Sequence, residues 1–215
     1  MPTYQEFLKA IAVKESQGKY ELVSKAGYLG AYQMGEQALI EAGYYKRDDT
    51  SANDWKGQWT GKNNIKSKEE FLKSKEAQDA AVKELMKAQW NYIKAYKLDG
   101  YEGQDVGGVK ITVSGLLAGA HLVGARALKS FFDSKGRIIP KDGNNVPVTE
   151  YMTKFGGYET PFSPTKRAAS QWPEMRPLHL LAEIEADSFS DPLVRQRPMI
   201  HGKSAIRKNT DEGLV

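Results

Sequence analysis

The chain has no cysteine among its 215 residues. That excludes disulfides and any thiolate nucleophile or thiolate-bound metal. Histidine is scarce: His121, His179 and His201 lie far apart with no HExxH-type spacing, so no metal site is expected from them. There is no long hydrophobic run. The most apolar stretch, residues 113–125, is interrupted by His121 and too short to cross a bilayer, so membrane insertion is not expected. The opening residues lack a basic segment followed by an apolar one, so no signal peptide is read. The expectation is a product made in the cytoplasm that needs a dedicated route for any work outside it. Neither sign of charge dominates: 31 Lys and Arg against 27 Asp and Glu leave +4. The lysines are spread out and form no stripe, so a nucleic-acid partner is not expected.

What is present is a core-forming chain, 40% hydrophobic. Tyr4, Phe7, Leu8 and Ile11 repeat at i, i+3, i+4 and i+7, which predicts an amphipathic helix. Thr3 and Glu6 form a capping box at its start, and Gly18 is the expected stop. At about 100° per residue, Glu15 falls roughly 20° from Tyr4, on the apolar stripe. A carboxyl group there is partly desolvated, which favours its protonated form. A glutamate that keeps its proton can donate it, as cleavage of a glycosidic bond requires. Taken alone, the same residue is more plainly read as an interior glutamate satisfied by an ion pair.

The rest of the chain reads as all-α with at most a small hairpin. Residues 19–35, with three glycines among tyrosines, predict turns or a short hairpin, and a short helix follows over 35–42. Residues 44–66 predict a long functional loop. A second capping box at Ser67–Glu70 precedes a long helix over about 75–96. Residues 97–110 read as a connector. From Thr112 or Ser114 begins the most apolar helix, expected to be central and buried, with glycines at 115, 119 and 124 that allow close approach of other backbones. A turn at 142–145 leads to a short helix over 149–155. Prolines cluster after Thr160, and a domain boundary is placed near 162: a domain over 1–162, then an extension over 163–215 with a short helix candidate at 178–186.

Four segments carry a resemblance. Glu15-Ser16 closes the first helix. Gly30-Ala31-Tyr32-Gln33 follows. Ala120-His121-Leu122-Val123-Gly124 lies in the apolar helix, and Glu150-Tyr151 in a late one. In order and spacing these resemble lytic transglycosylases and goose-type lysozymes, whose motifs read Glu-Ser, Gly-Leu-Met-Gln and Ala-Tyr-Asn-x-Gly, followed by a late tyrosine. His121 and Leu122 stand where that family has Tyr and Asn. The resemblance spans about residues 3–160 and implies a lysozyme-like fold with a central buried helix. It implies cleavage of the β-1,4 bond between N-acetylmuramic acid and N-acetylglucosamine in peptidoglycan, with Glu15 as general acid and then base. Ser16, Tyr32, Gln33, His121 and Tyr151 would support the acid or bind the sugar.

The oxocarbenium-like centre is trapped by the muramoyl 6-hydroxyl in transglycosylases. In hydrolases it is trapped by water, usually with a second carboxylate. Both routes stay open. Asp49 and Asp54, beside Asp48 in the long loop, are the candidates for that carboxylate, and solvated loop charge is the plainer account of each. Trp55, Trp59, Tyr44 and Tyr45 are candidates for stacking on sugars, with core packing an equal alternative. Gln33 also reads as a residue whose amide closes a turn, and for His121 a satisfied core histidine is the plainer account. No cofactor is expected, with a calcium site built from loop aspartates left open. By analogy, a delivered antibacterial protein would have an immunity protein or a delivery-apparatus partner. A chitinase-like enzyme and a non-catalytic glycan-binding module are the lower-ranked readings.

Overall fold

The structure, a computed structural model, describes residues 1–163. The expectations for residues 164–215, including the helix at 178–186 and the role of the extension, lie outside the described residues. The described part is mainly helical. Helix α1 (Tyr4–Ser16) is followed by a turn-rich segment and the short α2 (Glu36–Glu41). A two-stranded hairpin, β1 (Tyr45–Lys46) with β2 (Gln58–Trp59), brackets the long loop. Then come α3 (Lys68–Lys73), α4 (Lys75–Ala95), the small hairpin β3 (Asp105–Val106) and β4 (Val109–Lys110), α5 (Val113–Val123), α6 (Ala125–Asp133) and α7 (Val148–Lys154).

The capping box of α1 is formed in both directions. The Glu6 amide donates to Thr3 Oγ1 at 3.3 Å, and the Thr3 amide donates to Glu6 at 2.7 Å. The helix ends at Ser16, and its C-cap is Gln17 rather than the predicted glycine. Gln17 takes the left-handed conformation, and the Gln17 and Gly18 amides donate to Val13 O and Ala12 O in a Schellman arrangement. The second box resolves differently. Ser67 caps the separate α3, and Ser74, in an extended conformation, ends α3 and caps α4 through its hydroxyl. The connector over 97–110 contains the β3–β4 hairpin, and α6 follows α5 with Leu128, Phe131 and Phe132 buried.

Helix α5 is the centre of the fold. Val113 to Ala120 are all buried, and α4, α6 and α7 pack around it. Thr112 caps it, its hydroxyl accepting from the Gly115 amide. The expected glycine role holds at Gly115, where an added Cβ would lie 2.7 Å from the backbone oxygen of Met152 in α7. At Gly119 it would lie 3.1 Å from Met152 and Val148 side-chain atoms. Gly124 differs: nothing lies within 4 Å, and its positive φ ends α5.

Helix α1 docks on the end of α7 through aromatics. Phe7 is fully buried, its ring centroid 6.4 Å from Phe155 and 5.6 Å from Tyr158. Burying such a side chain contributes about 1.5–3 kcal/mol. The half-exposed Lys14–Glu150 ion pair at 3.1 Å, joining the same two helices, contributes at most about 1 kcal/mol. Apolar contact therefore sets the docking, and the ion pair trims it.

The close approach at Gly115 yields a prediction. In Gly115→Ala the gain in helix propensity, about 1 kcal/mol, is outweighed by collision with a backbone carbonyl. Urea unfolding should show a net loss of about 1–3 kcal/mol. An unchanged or higher midpoint would contradict the packing described.

Candidate active site

Glu15 sits in the last turn of α1, on the rim of the buried face rather than at its middle. The buried positions are Phe7, Leu8, Ile11, Ala12 and Ser16, and the Glu15 side chain is 18% exposed. Two residues from distant elements converge on it. The Tyr151 hydroxyl, from α7, donates to Glu15 Oε1 at 2.7 Å. His121, in the last turn of α5, places Nε2 3.7 Å from the same oxygen, beyond hydrogen-bond reach, so that contact is electrostatic. Among the described residues, Glu15 Oε2 has no hydrogen-bond partner, and its side chain is partly open to solvent.

The partners of Glu15 are held neutral by their surroundings. Burial pushes the Tyr151 hydroxyl well above its ordinary range, and the Glu15 carboxylate adds to the shift. Tyr151 thus stays a donor. Burial also lowers the His121 pKa from 6.5, with Glu15 pulling the other way. His121 Nδ1 is buried without a partner.

The remaining residues of the four segments build the frame behind the acid. The Ser16 hydroxyl contacts Ala12 O at 3.1 Å and Ala31 O at 2.8 Å, and accepts from the Lys19 amide at 3.0 Å. It ties the end of α1 to the Gly30–Gln33 segment and makes no contact with Glu15. Gln33 takes a left-handed φ of 45°, and its side-chain amide donates to Gly30 O at 2.9 Å. That is the turn-closing role. Tyr32 is buried and points to α4, where its hydroxyl and that of Tyr20 both donate to Asp79, at 2.7 and 2.9 Å.

Sequence reasoning overlooked Asp79 and its neighbour Gln78. Gln78 is buried in α4. Its Oε1 accepts from the Ala31 amide, and its Nε2 donates to Tyr20 O and Phe71 O. Gly30 carried the available signal. Its φ is +71°, and a Cβ there would lie 2.0 Å from Gln78 Oε1.

The loop candidates lie elsewhere. Asp49 is exposed, and Asp54 pairs with Lys56 at 2.9 Å. Neither is hydrogen-bonded or ion-paired to Glu15, His121 or Tyr151. Tyr44 and Tyr45 are buried, and Tyr45, Trp55, Trp59 and Phe71 pack on one another with centroids 5.3–5.8 Å apart. The Trp55 indole donates to Gly27 O. These aromatics anchor the loop.

A surface groove of about 500 Å³ begins three residues beyond Glu15 and is lined by Gly18, Lys19, Tyr20, Leu72, Lys73 and Lys75, among others. Glu15 does not itself line it. No protein-family model, no curated protein and no solved structure matches the chain.

His121 gives the site a pH signature. Its folded pKa is depressed, so above about pH 6.5 both states are neutral and burial carries no pH-dependent cost. As pH falls below 6.5, the unfolded chain takes up the proton first and stability is lost, at no more than about 1.4 kcal/mol per pH unit. Nuclear magnetic resonance titration should give His121 a midpoint below 6.5, and His121→Gln should flatten this part of the stability profile. A midpoint at or above 6.5 would contradict the burial described.

Proposed function

We propose that this protein cleaves peptidoglycan glycan strands, with Glu15 as the general acid and base. The observation that carries the reading is the convergence on Glu15. One carboxylate oxygen is fixed by Tyr151, the other is without a partner among the described residues, and the side chain is partly open to solvent. In this reading the lysozyme-like fold supplies the frame, with α5 as its central helix.

The Glu15 carboxyl donates its proton to the glycosidic oxygen as the C1–O bond breaks, leaving an oxocarbenium-like muramoyl centre. The resulting carboxylate is held in place by the Tyr151 hydroxyl, a charge-assisted hydrogen bond. Glu15 then takes a proton from the attacking hydroxyl. If that is the muramoyl 6-hydroxyl, the product is a 1,6-anhydro sugar; if it is water, a reducing end. Neither Asp49 nor Asp54 is hydrogen-bonded or ion-paired to Glu15, His121 or Tyr151, which supports the route in which one carboxyl does both steps. The groove beyond Gly18, lined by Lys19, Lys73 and Lys75 against one acidic residue, Glu21, suits a strand that bears carboxylates on its lactyl and peptide groups. A delivered antibacterial role, with an immunity protein covering the site, goes with this reading by analogy.

Digestion of purified peptidoglycan followed by mass spectrometry tests it. Glu15→Gln, which keeps size and shape, should lower the rate by about 100- to 10,000-fold with the fold intact by circular dichroism. Tyr151→Phe should lower it roughly 10- to 100-fold, the equivalent of one hydrogen bond to a charged group. Unchanged activity in Glu15→Gln removes the acid from the account. No activity of the wild type on any wall preparation favours a glycan-binding module instead.

A further inference from the structure

The segment between α6 and α7 holds two large apolar side chains out in water. Ile138 is 58% exposed and Ile139 45%. A lone apolar residue at a surface is ordinary, but two in succession on an ordered turn are not. The turn is ordered on both sides of the pair. Before it, the Lys135 and Gly136 amides donate to Phe132 O and Phe131 O, and the Ile138 amide donates to Ser134 Oγ at 2.8 Å. Arg137 Nε donates to Ser134 O at 3.0 Å. After it, Pro140 O accepts from the Val148 amide, at the start of α7, at 2.8 Å. Gly136 has a φ of +81° and lies against the β3–β4 hairpin, where a Cβ on it would come 2.5 Å from Gly107 Cα. The backbone is thus pinned to the hairpin at one end and to α7 at the other, and the isoleucines stay outside the core.

The charge around the pair has one sign in excess. Lys135, Arg137 and Lys141 flank it and are exposed. None of the three is ion-paired among the described residues. Of the neighbouring acids, Asp133 is paired with Lys129, and Asp142 accepts from the Asn144 and Val146 amides at 2.9 and 2.8 Å. Residues 129–142 therefore carry four cations, Lys129, Lys135, Arg137 and Lys141, against two acids, Asp133 and Asp142. On the adjoining hairpin, Asp105 and Lys110 offset each other.

An apolar pair flanked by unpaired cations complements a surface that is anionic outside and apolar just beneath. We propose that this turn docks on an anionic phospholipid bilayer. Ile138 and Ile139 enter the boundary between headgroups and acyl chains, while Lys135, Arg137 and Lys141 face lipid phosphates. The attachment is peripheral: among the described residues, no helix is long and apolar enough to cross a membrane. A protein partner would have to offer a shaped pocket to each isoleucine. A bilayer takes both side chains without matched shape, and its charge complements the three cations. The inference does not depend on the glycan reading, and its test involves no glycan.

Sedimentation of the full-length protein with vesicles provides the test. Vesicles of phosphatidylglycerol and phosphatidylcholine in equal parts should carry the protein down, and pure phosphatidylcholine vesicles should leave it in solution. Sodium chloride at about 0.5 M should release most of it, because screening weakens the cation contacts. Ile138→Ser/Ile139→Ser should weaken binding at least about tenfold with circular dichroism unchanged, since both side chains already face water in the free protein. Lys135→Gln/Arg137→Gln/Lys141→Gln should also weaken it at least about tenfold. Lys83→Gln/Lys87→Gln/Lys94→Gln, which removes the same charge from exposed positions on α4, should bind like the wild type. Equal binding by the isoleucine variant and the wild type, or an equal loss in the α4 control, would overturn the proposal. A wild type that ignores both kinds of vesicle would overturn it too, and would leave a protein partner as the account of the turn.

Discussion

Helix α7 lies against the glycine face of α5, close enough that a single methyl group at Gly115 would meet the Met152 carbonyl. Everything at Glu15 depends on that contact. His121 is on α5 and Tyr151 on α7, and neither is near Glu15 in sequence. A side chain at position 115 would push α7 outward and carry Tyr151 away from the carboxylate. Phe7, wedged beside Phe155 and Tyr158, then fixes α1 against the same helix two turns before Glu15. The acid is placed by apolar packing on both sides, and the 2.7 Å hydrogen bond from Tyr151 is the result of that packing rather than its cause.

Behind the acid, a buried polar frame holds the second segment. The Ala31 peptide is gripped from both sides: its carbonyl accepts from Ser16, and its amide donates to Gln78. Tyr20 and Tyr32 share Asp79. Each of these groups would cost about 1–3 kcal/mol if buried without its partner. Together with the burial of Leu29, Ala31, Tyr32 and Met34, this keeps a turn-rich stretch in one conformation. Ser16, Tyr20 and Tyr32 thus turn their hydroxyls to partners within the fold, while Lys19 and Glu21 line the groove at the surface.

Much of this was legible in the sequence because it is local. The first capping box, the apolar helix and the short helices expected over 35–42 and 149–155 follow from period and capping chemistry. The α6 stripe of Leu128, Phe131 and Phe132 was equally available and was passed over between two more obvious segments. The position of Glu15 at the rim was not legible. A wheel built on Tyr4 centres the stripe too far round, and the structure turns it toward Ala12 and Ser16. Ser16, Tyr32 and Gln33 show the other limit. Their place in the matched segments says nothing of where their hydroxyls and amides point: Ser16 to Ala31 O, Gln33 to Gly30 O, and Tyr32 to Asp79 on α4.

The central claim is spatial: the side chain at position 15 faces the bond that is cut. A crystal structure of Glu15→Gln bound to a peptidoglycan tetrasaccharide measures that directly. The account predicts a glycosidic oxygen within hydrogen-bond distance of the side chain at position 15, with Tyr151 still in contact with it and the strand continuing into the groove beyond Gly18. A strand seated in that groove, or on any other face, with no glycosidic oxygen near position 15 would contradict it.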